Sequence, residues 1–113
     1  MKPAFVPDVG DFIWLTFDPQ AGREQAGRRP ALVLSPKVYN ARSGLLLACP
    51  VTNQRKGYPF EVAVPSTGGV NGVILVDHVK SVDWIARRAE RLGRCTSETM
   101  DEVRALLAPL LGY

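Results

Sequence analysis

A phosphate ester is gripped by cations and hydrogen-bond donors, and the sequence gathers both in one stretch. Residues 20–60 hold Arg23, Arg28, Arg29, Lys37, Arg42, Arg55 and Lys56 against the single acid Glu24, a net charge of +6. Residues 1–19 carry −2 and residues 61–113 carry −1, which leaves the 113-residue chain at +3. Within the basic stretch, Arg28-Arg29 and Thr52-Asn53-Gln54-Arg55-Lys56 place guanidinium, ammonium, hydroxyl and amide donors in two short runs. A nucleic-acid backbone calls for such groups. A solvated polar loop carries the same groups, so charge alone does not choose between the two. Tyr58 and Phe60 follow the second run, where aromatic rings either stack on bases or close a strand end.

Other chemistries lack their residues. His78 is the only histidine, and Cys49 and Cys95 are the only cysteines, too few for a zinc ribbon or a disulfide scaffold. No Ser lies in a Gly-x-Ser-x-Gly turn, and the P-loop and Gly-x-Gly-x-x-Gly fingerprints are absent. No run of about eighteen apolar residues exists to span a membrane. The first residues lack the apolar stretch of a signal peptide, so a cytoplasmic location is expected. With 46% hydrophobic residues the chain is too apolar for disorder, and its length suits one domain over residues 1–113.

The elements that must position the two runs read mostly as strands. Residues 11–17 are aromatic and β-branched. Residues 30–35 form a second apolar run, stopped by Pro36. Residues 45–51 are almost continuously apolar, which predicts burial on both faces. Residues 60–64 alternate, residues 72–77 are apolar, and residues 86–95 make a weaker, charged strand after a turn at 81–84. Only the end reads as helix, with Met100, Val103, Leu106, Leu107, Leu110 and Leu111 on one stripe, Ser97 as N-cap and Pro109 fraying the last turn. Trp14 shares a face with Phe12 and is expected in the core, whereas Phe17 has the opposite parity and borders the loop at 20–29. The outline is mainly β with a C-terminal helix, a small antiparallel barrel of about six strands. If residues 30–35 and 45–51 pair as a hairpin, the start of one lies beside the end of the other. The two basic runs then converge.

Four ordered segments resemble the MazF/PemK family of toxin endoribonucleases, most closely its MazF branch. They are Pro7-Asp8-Val9-Gly10-Asp11-Phe12-Ile13-Trp14, Glu24-Gln25-Ala26-Gly27-Arg28-Arg29-Pro30-Ala31-Leu32-Val33-Leu34-Ser35-Pro36, Pro50-Val51-Thr52-Asn53-Gln54-Arg55-Lys56-Gly57-Tyr58-Pro59-Phe60-Glu61-Val62 and Asp77-His78-Val79-Lys80-Ser81. The resemblance fades over residues 65–71 and after Ala86. It implies an SH3-like barrel, a homodimer, no cofactor, and metal-independent cleavage of single-stranded RNA at a short sequence. It also implies a MazE-type antitoxin that covers the RNA groove. By the same resemblance Arg29 and Thr52 carry catalysis, and Glu24, Asn53, Gln54, Lys56 and Asp77 line the groove. Position 78 is His where Gln is expected in the close branch, and position 75 is Leu, without the pairing that PemK-type members place two residues before Asp77, so the resemblance to that branch assigns Asp77 no catalytic role.

Cleavage without metal most easily uses the ribose 2′-OH as nucleophile. It needs a base at that hydroxyl, an acid at the leaving oxygen and donors for the phosphorane oxygens. Arg29 suits the phosphorane, because its planar fork matches two oxygens and it is a poor base. Thr52 supplies a hydroxyl donor. Glu24 either takes the proton or orients Arg29. Specificity would come from side chains around Phe17, Asn53, Gln54 and residues 65–71, and Arg28 is expected to bind RNA as well. Two other readings compete: a gyrase-binding toxin on the same fold, which would act through its C-terminal residues, and a barrel that binds RNA without cutting it. The tail Leu110-Leu111-Gly112-Tyr113 lacks the tryptophan expected of the first.

Overall fold

A computed structural model describes residues 5–17, 27–65 and 69–113. Its elements are β1 (Asp11–Phe17), β2 (Gly27–Val33), α1 (Lys37–Ser43), β3 (Leu45–Thr52), β4 (Glu61–Ala63), β5 (Val73–Leu75), a 3-10 turn at Val76–His78, β6 (Lys80–Asp83), β7 (Glu90–Arg94) and α2 (Ser97–Leu110). The strands run in the order β4-β5-β3-β2-β1-β7, with β6 also on β3, and every pairing is antiparallel. The expected class, mainly β with a C-terminal helix, is the one found.

β3 organises the sheet because it changes partners. Leu45–Ala48 pair with β6, whereas Val51 and Thr52 pair with β5, so one strand belongs to two sheet segments. The core divides accordingly. Phe12, Leu32, Cys49, Val51, Val62, Ile74 and Val76 pack under Met100 and Val103 of α2. Ile13, Leu15, Phe17, Ala31, Val33, Leu46, Ala48, Val82 and Trp84 form a second cluster. Neighbours such as Phe12 and Ile13, or Leu32 and Val33, enter different clusters because successive side chains leave a strand on opposite faces.

Several expectations need correction. The second half of β3 is buried throughout, but Leu45 and Leu47 in its first half face outward. Residues 37–43 form α1. Seven residues are too few to show a helical period, and tertiary bonds hold the helix instead. Asn40 is fully buried, donates from Nδ2 to the Pro7 and Ser35 carbonyls, and accepts from Ser35 Oγ at 2.6 Å. The Trp84 indole N–H donates to the Asn40 carbonyl. The Asp8 carboxylate accepts from the Lys37 backbone N–H, the main reason its pKa lies below the ordinary value. Of the turn expected at 81–84, residues 81–83 belong to β6, and the charged strand expected over 86–95 shortens to β7 (Glu90–Arg94). Thr96, not Ser97, caps α2, its Oγ1 accepting from the Thr99 N–H. Pro109 stays inside α2, which ends at Leu110.

Candidate RNA-cleaving site

The site follows from the pairing of β2 with β3. Ala31 lies opposite Pro50 and Leu32 opposite Cys49. Extending that register by two residues sets Arg29 opposite Thr52, at the start of one strand and the end of the other. There the ladder opens into a cleft of about 390 Å³, lined by Trp14, Arg28, Arg29, Pro30, Val51, Thr52, Asn53, Gly69, Asn71 and Leu92. Arg28 and Arg29 of the first run thus meet Thr52 and Asn53 of the second, whereas Gln54, Arg55 and Lys56 lie outside the lining.

Thr52 is held in place by backbone geometry. Its side chain is buried, and Oγ1 accepts from the Gln54 N–H at 3.2 Å, which leaves the hydroxyl proton to donate elsewhere. Opposite it, β5 is entered through Gly72, whose φ is +117°. A Cβ on Gly72 would lie 2.2 Å from the Thr52 carbonyl oxygen. Only glycine permits this approach, so Gly72 fixes the depth of Thr52. In the sequence, Asn71-Gly72 reads only as a turn signal at the start of the apolar run.

The loop after Thr52 is shaped by one carboxylate. Glu61 accepts from the Lys56 N–H at 3.1 Å and from the Gly57 N–H at 3.0 Å, folding the loop back onto β4. Lys56 Nζ lies 5.9 Å from the Tyr58 ring centre, and Tyr58 is 61% exposed. Tyr58 is thus an open aromatic ring, whereas Phe60 packs partly against the core. Gln54 and Lys56 are exposed on this loop, beyond the lining of the cleft.

Trp14 departs from its expected place. Its parity matches that of Phe12, but Phe12 lies under α2 and is buried, whereas Trp14 is 38% exposed and walls the cleft. Phe17 departs in the other direction. It is 1% exposed in the second cluster, beneath Lys80, so its ring is closed to a base. Arg28 lines the cleft and is also tied to the protein. Its guanidinium donates to Thr16 Oγ1, to the Arg87 and Arg88 carbonyls and to Glu90. Glu24 lies outside the described residues. Asp77 is exposed in the 3-10 turn and is not among the lining residues.

The remaining reactive groups are quiet. Burial, with a smaller contribution from the nearby Asp77 charge, pushes the Cys49 thiol up to about 12. Burial also raises Cys95. Neither is a poised nucleophile. Among the described residues no group of three or more His, Cys, Asp or Glu side chains is placed to hold a metal ion. No helix among them is long and apolar enough to cross a membrane.

Comparison with known proteins adds to this geometry. Residues 8–111 match the family model of PemK-like, MazF-like toxins of type II toxin–antitoxin systems. The endoribonuclease toxin MazF of Escherichia coli K12 is 48% identical over 112 residues, covering 99% of this chain and all of that one. The crystal structure of MazF from Deinococcus radiodurans superposes with a TM-score of 0.93 at 57% identity, covering 96% of this chain and 99% of that one. The toxin in the MazE–MazF complex from the same organism gives 0.85 at 52% identity, covering 96% and 97% of the two chains. With Arg29 and Thr52 lining one cleft and the match running the length of the fold, the chain belongs to the PemK-like, MazF-like toxin family.

Proposed function

We propose that the chain is a toxin endoribonuclease that cuts single-stranded RNA at the Arg29–Thr52 cleft, without metal and at a short sequence. The observation that supports this reading is that Arg29, near the start of β2, and Thr52, at the end of β3, line one cleft. The 2′-oxygen attacks the adjacent phosphorus and its proton passes to a base. The bond from phosphorus to the 5′-oxygen breaks, and that oxygen is protonated as it leaves. The products are a 2′,3′-cyclic phosphate and a 5′-OH. Arg29 spans two phosphorane oxygens, and Thr52 donates one further hydrogen bond. Glu24 has two candidate roles, the base at the 2′-OH or the partner that orients Arg29. Glu24→Gln separates them. Loss of the acid limb of the pH–rate profile marks the base.

The Trp14 indole and the exposed Tyr58 ring offer faces on which unpaired bases stack, and Asn53, Asn71 and Gln54 offer amides for base edges. A MazE-type antitoxin brings acidic residues to the same opening, and the partners meet in the cytoplasm. The active species is a homodimer. Leu45 and Leu47 on β3 and Val38 and Tyr39 on α1 are exposed apolar side chains available to a second copy. Leu47→Lys is expected to shift the sedimenting mass from dimer to monomer. The activity itself is tested by incubating purified protein with a long single-stranded RNA, with and without EDTA. Discrete fragments in both samples are expected. Intact but shifted RNA would make the chain a binder, and dependence on divalent ions would remove the metal-free mechanism.

A further inference from the structure

Arg28 sits beside the proposed catalytic Arg29, and its type suggests a second phosphate ligand. Its surroundings suggest a different role. The guanidinium spans the gap between β2 and the turn that joins β6 to β7. One nitrogen donates to Thr16 Oγ1 at 3.0 Å and to the Arg87 carbonyl at 3.4 Å. The other donates to the Arg88 carbonyl at 2.7 Å and to Glu90 Oε1. The turn is also stitched to β1. The Thr16 N–H donates to the Arg87 carbonyl at 3.1 Å, and Arg87 returns a bond to the Thr16 carbonyl at 3.2 Å. Arg88 has a φ of 55°, the only positive φ outside glycine among the described residues. Its carbonyl is one of the four oxygens on Arg28. A left-handed Arg persists only where its neighbours fix it.

We infer that Arg28 is a positioning residue. It latches the start of β2 to the turn at 84–89 and so fixes the peptide that carries Arg29. A guanidinium with four protein acceptors, one of them a carboxylate, has little left to offer a phosphate. Its side chain is 26% exposed, and the more exposed Glu90, at 70%, meets it from the solvent side. The argument rests on the proposed cleavage at Arg29.

The test uses Arg28→Ala, Arg28→Lys and Glu90→Gln in the full-length protein. Cleavage kinetics are measured beside the salt dependence of binding to an oligonucleotide carrying 2′-deoxyribose at the scissile position. A latch predicts that Arg28→Ala lowers kcat at least about tenfold while KM and the salt slope stay near wild type. Arg28→Lys, which keeps the charge and loses the fork, should be similarly impaired. Glu90→Gln should lower kcat by a few fold without tightening binding. A phosphate ligand predicts the reverse. Removing it flattens the salt slope by about 0.7, raises KM and spares kcat, and freeing it from Glu90 tightens RNA binding. That pattern would overturn the inference. Amide exchange at Thr16 reads the latch without RNA. It should speed up in Glu90→Gln even if Arg28→Ala fails to fold, and unchanged protection would also overturn the inference. Wild-type protein that leaves RNA intact would sink the cleavage reading instead, and the exchange result would still decide the latch.

Discussion

At its two ends, β2 meets polar side chains used in opposite ways. Beyond Val33 the chain reaches Ser35 and Asn40, which are buried and bonded to one another, to Pro7 and to the Trp84 indole. Among the described residues no buried side-chain nitrogen or oxygen lacks a partner. At the other end, Arg29 and Asn53 stand half-buried or exposed around an open cleft, and Thr52 reaches it from a buried position. Buried polar groups that satisfy each other specify a structure, while polar groups that line an opening can also meet a ligand. The residue types at the two ends overlap, so it is the surroundings that assign the role.

Substitutions at the two ends should therefore separate activity from stability. The largest effect is expected from Arg29→Ala, with a loss of at least ~10² in cleavage rate and a urea midpoint close to wild type. Near-normal turnover would move the phosphorane role to Lys56. Asn40→Ala, at the opposite end, strands the Ser35 and Pro7 oxygens and should cost about 2–4 kcal/mol in urea unfolding, with turnover per folded molecule unchanged. A fall in turnover would show that the two ends are coupled. Gly72→Ala should do both things. Its Cβ collides with the Thr52 carbonyl, so about tenfold slower cleavage is expected with a loss of about 1–3 kcal/mol.

Trp14→Ala should weaken RNA binding by about 1–3 kcal/mol, with Trp14→Phe retaining most of the affinity. The smallest effect belongs to Asp8. Its folded pKa is depressed, so its contribution to stability is full above the ordinary carboxylate range and fades as pH falls through the folded value. Acid melts should accordingly converge for wild type and Asp8→Asn toward pH ~2, after differing slightly at neutral pH.

How much of this the sequence reveals depends on the range of the cause. Antiparallel pairing of two apolar runs is enough to bring Arg29 to Thr52, and the runs are plain in the sequence. α1 is hidden because its reason lies elsewhere. Seven residues without a period become helical through a buried Asn40 and a carboxylate at Asp8. Trp14 is misplaced by parity because parity names a face without saying how far α2 covers it. Phe12 falls under the cover and Trp14 beyond it. Arg28 looks like a phosphate ligand until Glu90, sixty-two residues away, is seen beside it. Gly72 is legible as a turn, but the close approach to Thr52 that requires glycine appears only in three dimensions.

The central claim is that the Arg29–Thr52 cleft cuts RNA through its own 2′-hydroxyl. Once the cleavage site is mapped, a single 2′-deoxyribose at the nucleotide 5′ to the cut removes the nucleophile and leaves the bases, phosphates and overall charge unchanged. The account predicts that this oligonucleotide binds as before and is not cut, while a deoxyribose elsewhere in the strand is tolerated. Cleavage of the substituted strand at an unchanged rate would contradict it.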